Sequence, residues 1–282
     1  MRILLAGRNG QVGWELERSL APLGEVIAFD RAKLDLSDAA TIRRAAQDTK
    51  PDVIVNAAAY TAVDRAESEP ALADAINHVA PRTFAEEARR SGALLVHYST
   101  DYVFDGEKRA PYKEDDETHP INVYGRTKLE GERAVRAAGC QHWILRTGWV
   151  YAARGSNFLR TMLRLAAERD ELSVVGDQTG SPTAAPELAR ATAALLREGA
   201  PANEVFHLSA GGETTWHEFA CEILALTGRE NIRVRRITTD QYPTAAKRPR
   251  YSVLSNEKIR NAAGIALPDW RVSLEAVCRS LG

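Results

Sequence analysis

Cysteine is scarce in this 282-residue chain: Cys140, Cys221 and Cys278 are far apart and odd in number. That spacing argues against a disulfide framework and fits a reducing compartment. The six histidines (His78, His97, His119, His142, His207 and His217) show no paired spacing of the kind metal sites use. An excess of charge of one sign is missing too. With 37 Lys and Arg against 38 Asp and Glu, the formal net charge of −1 gives no case for nucleic acid or an anionic membrane surface as partner. No apolar run approaches membrane-spanning length, and Gly7-Arg8-Asn9-Gly10 ends the first apolar run too early for a signal sequence. Repeats and low-complexity stretches are absent as well. What remains is 44% hydrophobic and 27% charged, the composition of a soluble globular protein, here expected to be cytoplasmic.

Short apolar runs alternate with amphipathic ones in the first half. Arg2–Ala6, Glu25–Phe29, Asp52–Asn56, Leu94–Tyr98 and His142–Arg146 read as strands, and Val12–Leu23, Asp38–Gln47, Pro70–Ser91 and Val123–Ala138 as helices. Continuous apolar strands such as Val53-Ile54-Val55 belong to a parallel sheet covered on both faces. The alternation therefore predicts an α/β fold with a Rossmann-type doubly wound parallel sheet and ligands at the C-terminal strand ends. After about Gly148 the rhythm loosens into Asn157–Glu168, Ala185–Arg197 and Thr215–Thr227 as helices, with Leu172–Val175 and Val205–Leu208 between them. Residues 1–150 are thus expected to form a dinucleotide-binding domain. Residues 151–282 are expected to supply mainly a smaller α/β substrate lobe, packed on the first and interleaved with it in part.

Gly7-Arg8-Asn9-Gly10-Gln11-Val12-Gly13 follows the first strand and opens the first helix. Glycines there allow a tight turn, close backbone approach to a pyrophosphate, and close helix–sheet packing, while the helix N-terminus offers N–H donors. Asp30 ends the second strand at the distance where a carboxylate can accept from ribose hydroxyls, and Arg31 beside it can pair with a 2′-phosphate. Asp30 favours NADH, Arg31 favours NADPH, and both cofactors stay open. Asp35-Leu36 falls in a turn, and Asn56-Ala57-Ala58-Ala59-Tyr60 ends the third strand with small side chains that let a nucleotide pass near the backbone.

Tyr124 and Lys128, four residues apart, share one helix face. A phenol ordinarily titrates near about 10, too high for easy proton release unless a cation favours the phenolate. Leu94–Tyr98 delivers Ser99-Thr100-Asp101 to the same sheet edge. In that order, Thr100 can bond a carbonyl oxygen, Tyr124 can protonate it, and Lys128 can lower the phenol pKa while holding the nicotinamide ribose. This is an apparatus for carbonyl–alcohol interconversion with a cofactor hydride.

Together with Ala58-Ala59-Tyr60-Thr61-Ala62-Val63-Asp64, Ser99-Thr100-Asp101-Tyr102-Val103-Phe104-Asp105-Gly106, Arg146–Tyr151 and Gly176–Thr183, these motifs resemble the extended short-chain dehydrogenase/reductases. Within them the chain resembles the dTDP-4-dehydrorhamnose reductase family over nearly its whole length. The resemblance implies NADPH- or NADH-dependent reduction of the 4-keto group of a dTDP-6-deoxyhexulose to dTDP-L-rhamnose, for cell-surface polysaccharide. It implies that Gly10, Gln11 and Val12 touch the cofactor phosphates, and that Asp30, Asp35, Leu36, Ala58, Ala59 and Tyr60 line its adenosine side. Tyr124 and Lys128 would hold the nicotinamide end; Thr100, Asp101, Tyr124 and Trp149 would meet the sugar. It further implies a homodimer bridged by a structural Mg2+, with Glu15 and Glu187 as the matching carboxylates.

The family's usual Arg-Pro-x-Asn-Ser is here Arg248-Pro249-Arg250-Tyr251-Ser252, which removes one amide contact. A 4,6-dehydratase needs a carboxylate after Thr-Asp, where this chain has Tyr102. An epimerase or another 4-reductase stays open, as does a non-catalytic NADP-binding regulatory subunit such as the partner of methionine adenosyltransferase. The acidic run Glu114-Asp115-Asp116-Glu117 reads as a solvated loop.

Overall fold

Val53-Ile54-Val55 lacks polar alternation because both faces of its strand are covered. The computed structural model describes residues 1–281. In chain order these form β1 (Arg2–Ala6), α1 (Gln11–Leu20), β2 (Glu25–Phe29), α2 (Ala39–Thr49), β3 (Val53–Asn56), α3 (Val63–Ser68), α4 (Pro70–Asp74), α5 (Ala80–Ser91), β4 (Leu94–Thr100), α6 (Val123–Ala138) and β5 (His142–Thr147). Then follow β6 (Val150–Tyr151), α7 (Phe158–Glu168), β7 (Glu171–Val175), β8 (Thr179–Gly180), β9 (Thr183–Ala184), α8 (Ala185–Glu198) and β10 (Glu204–His207). The chain closes with β11 (Thr214–Thr215), α9 (Trp216–Leu226), β12 (Arg233–Ile237), α10 (Glu257–Ala263) and α11 (Trp270–Arg279).

Six strands make one sheet in the order β10-β5-β4-β3-β1-β2, every pairing parallel. From β1 the chain moves outward to β2 and then returns to β3 on the other side. The crevice between the ends of β1 and β3 is the switch point where open α/β sheets hold ligands. Alternate strand residues serve opposite faces. Ile3, Leu5, Val53 and Val55 pack with Leu16 and Leu20 of α1 and Leu188 of α8, whereas Leu4, Ala6 and Ile54 meet Ile42 of α2 and Phe84 of α5. The doubly wound parallel sheet expected from sequence is the observed architecture.

Beyond residue 150 the chain contributes to both regions. α8 lies against α1, and β10 pairs with β5 at the sheet edge. A separate core of Tyr151, Leu159, Phe219, Ile223 and Trp270 gathers α7, α9 and α11 around the parallel pair β7–β12. Among the described residues, no helix is long and apolar enough to cross a membrane.

The segment Pro70–Ser91, one helix in the sequence reading, is interrupted by a π-helical turn at Ala75–Val79. Such a wide turn re-aims a side chain, and here it is Asn77. Its Oδ1 accepts from the Tyr60 N–H at 2.8 Å, and its Nδ2 donates to the Tyr60 carbonyl at 3.1 Å and to Thr127 Oγ1 at 3.2 Å. The π turn thus pins the loop after β3. The helix opening at Gln11 gives way at Leu20, where Pro22 favours a tighter 3-10 turn over Ala21–Leu23. The acidic run is not simply solvated: the Glu114 carboxylate accepts from the His207 N–H at 2.8 Å, and Asp116 pairs with Lys108 and accepts from Lys113 N at 2.6 Å. These residues tie the loop to the end of β10.

Candidate active site

Gly7, at the end of β1, adopts φ +94°, and its carbonyl accepts from the Gly10 N–H at 2.9 Å. A Cβ on Gly7 would sit 3.0 Å from the Ala58 Cβ, and one on Gly13 would run into the Gly7 carbonyl. No side chain caps the first turn of α1. Its leading N–H groups therefore remain available to an anion, with the helix dipole behind them. A cavity of about 580 Å³ opens over this turn. Gly7, Gly10, Gln11, Val12, Asp30, Arg31, Asp35, Leu36, Ala58, Ala59, Tyr60, Tyr124 and Lys128 all line it, although they come from widely spaced segments. Gly13 lies beneath the turn rather than on the wall. The Thr147 hydroxyl, which the sequence reading missed, is buried in that wall with no protein partner. Size, bare N–H donors and an orphaned hydroxyl fit a dinucleotide.

Asp30 spends one carboxylate oxygen on the Lys33 N–H, 3.1 Å away, which shapes the loop carrying Arg31. Asp35 is held by Ser37: hydrogen bonds from its N–H and hydroxyl, at 2.9 and 2.7 Å, pull the carboxyl below its usual range. Across the cavity mouth, Gly155 and Ser156 form its rim. Asn157, the N-cap of α7, donates to Gln11 Oε1 at 2.8 Å, and Arg154 stacks on Trp14 at 3.4 Å while Arg18 covers the indole at 3.6 Å. Residues 152–157 thus form a strap tied to the glycine turn. Residues this far apart in the chain carry no shared spacing by which a sequence could flag them.

At the floor, Asn122 caps α6 by accepting from the Gly125 N–H at 2.7 Å, and this fixes Tyr124 in the first turn. Gly125 lies against the Tyr102 carbonyl, where any larger residue would collide. Burial pushes the Tyr124 phenol up to about 12, opposed by a hydrogen bond from Thr100 and reinforced by nearby Asp101. Lys128 is also buried. Its Nζ donates to the Tyr98 carbonyl at 2.6 Å, and burial pushes it down to about 8 against the pull of Glu132. Among the causes that shift the phenol in this structure, burial is the largest, and Lys128 is not one of them.

Thr100 ends β4, donates to Asp101 Oδ1 at 3.0 Å and accepts from the Tyr102 N–H at 3.1 Å. Asp101 is 3% exposed, with Oδ2 unpartnered; burial pushes its carboxyl up to about 6 against hydrogen bonds from Ser252 and Thr100. Gly148 leaves room for that carboxylate, since a Cβ there would sit 2.6 Å from its carbon. Trp149 has φ +51° and lies flat on Trp216, with ring centroids 3.4 Å apart. Trp216 lines a second cavity of about 650 Å³, together with Phe158, Gln178, Arg235, Tyr242 and Arg248. Arg248 also reaches Asp64 of α3 through two bonds, at 2.6 and 3.2 Å, holding the Asp64 carboxyl below its usual range. Tyr251, in the position of the family's asparagine, donates to Glu213 at 2.8 Å.

Glu15 lies on α1 and Glu187 in the first turn of α8, two helices that pack together, and Glu187 pairs with Arg190. Among the described residues no group of three or more His, Cys, Asp or Glu gathers as metal ligands. Two carboxylates alone do not satisfy the near-octahedral oxygen shell of magnesium. The residues of one chain do not fit that ion.

A doubly wound sheet carrying a dinucleotide crevice beside a Thr–Tyr–Lys set, its Thr100 and Lys128 buried and its Tyr124 on the cavity wall, defines a nicotinamide-dependent oxidoreductase. The model of the RmlD substrate binding domain family matches residues 1–282. The chain is 50% identical to the dTDP-4-dehydrorhamnose reductase of Burkholderia thailandensis, with 100% of this chain and 99% of that one covered. It also superposes on a dTDP-4-dehydrorhamnose reductase from Clostridium acetobutylicum with a TM-score of 0.94 and 41% identity, covering 100% of this chain and 99% of that one. A Bacillus anthracis dTDP-4-dehydrorhamnose reductase, solved in complex with NADP, gives a TM-score of 0.94 at 36% identity, covering 99% of each chain. The chain belongs to the RmlD substrate binding domain family of dTDP-4-dehydrorhamnose reductases.

Proposed function

We propose that this protein reduces the 4-keto group of dTDP-4-dehydro-L-rhamnose to give dTDP-L-rhamnose, using NADPH or NADH. The carrying observation is that Tyr124 and Lys128 both line the dinucleotide cavity, with Thr100 in hydrogen-bond reach of the Tyr124 phenol. A reduced dinucleotide held in this cavity would supply the hydride for C4. Tyr124 offers its hydroxyl to the C4 oxygen, and Thr100 does the same once its proton turns from Asp101. As that oxygen gains alkoxide character it becomes a stronger base than the phenolate, so it takes the Tyr124 proton. A phenol that titrates near about 12 suits this direction, because it enters the step fully protonated. The charge left on the Tyr124 oxygen is offset by the Lys128 ammonium one helical turn away.

Burial of Thr100 and Lys128 strengthens their interactions. Tyr102 stands edge-on to Tyr124, with centroids 5.7 Å apart. It occupies the place where a dehydratase would carry a carboxylate, which supports simple reduction. The dTDP portion is assigned to the second cavity. Phe158 and Trp216 there suit a pyrimidine ring, and Arg235 and Arg248 suit a diphosphate. Asp101 and Trp149 then flank the sugar between the two cavities. The reading places the protein in the cytoplasm, with the dTDP-sugar as its partner and a homodimer as its assembly.

Incubation with dTDP-4-dehydro-L-rhamnose and NADPH or NADH is expected to oxidise the cofactor and yield the rhamnose product. Folded protein that oxidises neither would overturn the assignment. Tyr124→Phe should keep cofactor affinity and lose turnover by about 10²–10⁴-fold, the usual scale of a general acid.

A further inference from the structure

Tyr124, Lys128 and Glu132 follow one another at helical spacing along the same face of α6. Glu132 is 0% exposed, and its carboxylate is filled from two strands. Ser99 Oγ of β4 donates to it at 2.5 Å; Arg146 of β5 donates through Nε at 2.9 Å and Nη2 at 2.7 Å. Arg146 is itself 2% exposed, lies over the Phe104 ring at 5.2 Å, and sends Nη1 toward the Glu114 carbonyl at 3.4 Å. A buried ion pair of this kind is a poor source of stability, because desolvation offsets most of its attraction. Its position is more telling. Ser99 stands between Tyr98, whose carbonyl receives Lys128 Nζ, and Thr100, which faces Tyr124.

We propose that Glu132 is a positioning residue: through Ser99 and Arg146 it locks α6 to β4 and β5, so that Tyr124, Lys128 and Thr100 meet at one carbonyl oxygen. This rests on the reading of Tyr124 and Lys128 as the proton-handling pair. Glu132 has an electrostatic part as well, since its charge opposes the downward push of burial on Lys128. The other ionisable groups around the brace do not replace it. On β4, His97 is driven well below its usual range by burial and by Lys128, and the Tyr98 phenol is pushed up. Asp101 is pushed up to about 6 and Tyr124 to about 12. His142 on β5 is lowered, His207 on β10 is pushed down to about 3 by burial and by Arg146, and the Glu114 carboxyl is raised by burial.

The test compares pH profiles of kcat for the full chain, Glu132→Gln, the paired variant Glu132→Met/Arg146→Met, and Ser99→Ala. Glu132→Gln should lower kcat by about 10–100-fold with KM for both substrates within about threefold, a loss confined to the transition state. Its alkaline limb should begin about one pH unit lower, because Lys128 loses the charge that keeps it protonated. The paired variant leaves no unpaired partner of the Glu132–Arg146 ion pair, also removes the charge beside Lys128, and should shift the alkaline limb in the same direction even if Glu132→Gln fails to fold. Ser99→Ala, which cuts only the link to β4, should lose several-fold in kcat at unchanged KM. Wild-type kcat and pH profile in any folded Glu132 variant would overturn the proposal. Tyr124→Phe run in parallel separates the two readings: if it retains turnover, the proton-pair assignment fails whatever Glu132 does.

Discussion

Replacing Asp101 by Asn should change how stability depends on pH, with a sign opposite to that of an ordinary carboxylate. Buried without a cation, Asp101 titrates near about 6 in the folded protein, against 3.8 for the unfolded group. Between those values the native state binds the extra proton. Stability therefore falls as pH rises through this window, and the stabilisation is full only below the unfolded value. The gap of roughly two pH units corresponds to about 3 kcal/mol, of which about 2 kcal/mol falls between pH 4.5 and 8. Asn keeps the shape without the charge, so the advantage of Asp101→Asn over wild type should grow by about that amount across the range. Urea unfolding of both proteins at several pH values measures it. Taking the difference removes the buried histidines His97 and His207, whose lowered values make both proteins lose stability below the unfolded histidine value. A flat difference, or one that narrows toward pH 8, would refute the claim that burial dominates at Asp101.

Gly13→Ala should cost about 1–3 kcal/mol of stability by overpacking, since its methyl meets the Gly7 carbonyl and the Arg8 nitrogen. Fluorescence titration should show cofactor affinity falling more than about tenfold as the turn shifts, because about 1.4 kcal/mol is worth that factor. Trp14→Ala removes the indole held between Arg18 and Arg154, contacts worth about 0.5–2 kcal/mol each. With the strap over the cavity loosened, dinucleotide affinity should fall roughly tenfold while the fold, read by circular dichroism, is retained.

The sheet was legible in the sequence because apolar runs and amphipathic stretches alternate, and each reports on its own periodicity. The glycine turn and Tyr124/Lys128 were legible for a related reason: their chemistry lies in short spacings on one turn or one helix face. Pairings across the fold leave no such trace. Asp64 and Arg248 meet across most of the chain, and Asn77 reaches Tyr60 only because a π turn swings it round. Arg146 belonged to a recognised motif, yet nothing local announced that Glu132 would face it. The acidic run misled for the same reason, as charge density cannot say that Glu114 turns inward to the backbone of His207.

The return of the chain to the central sheet has a consequence for the order of assembly during synthesis. The dinucleotide crevice is built by residues that emerge early, yet α8 supplies the cover over α1, and β10 closes the edge that β5 would otherwise expose. Until His207 has left the ribosome, the nascent chain carries the unpaired edge of β5, apolar at Trp143-Ile144-Leu145, and an uncovered helix face. A nascent chain stalled at 150 should be a chaperone client, and one extended past His207 should release it. The strand that completes the sheet is made after the crevice, which lies at the far side of it.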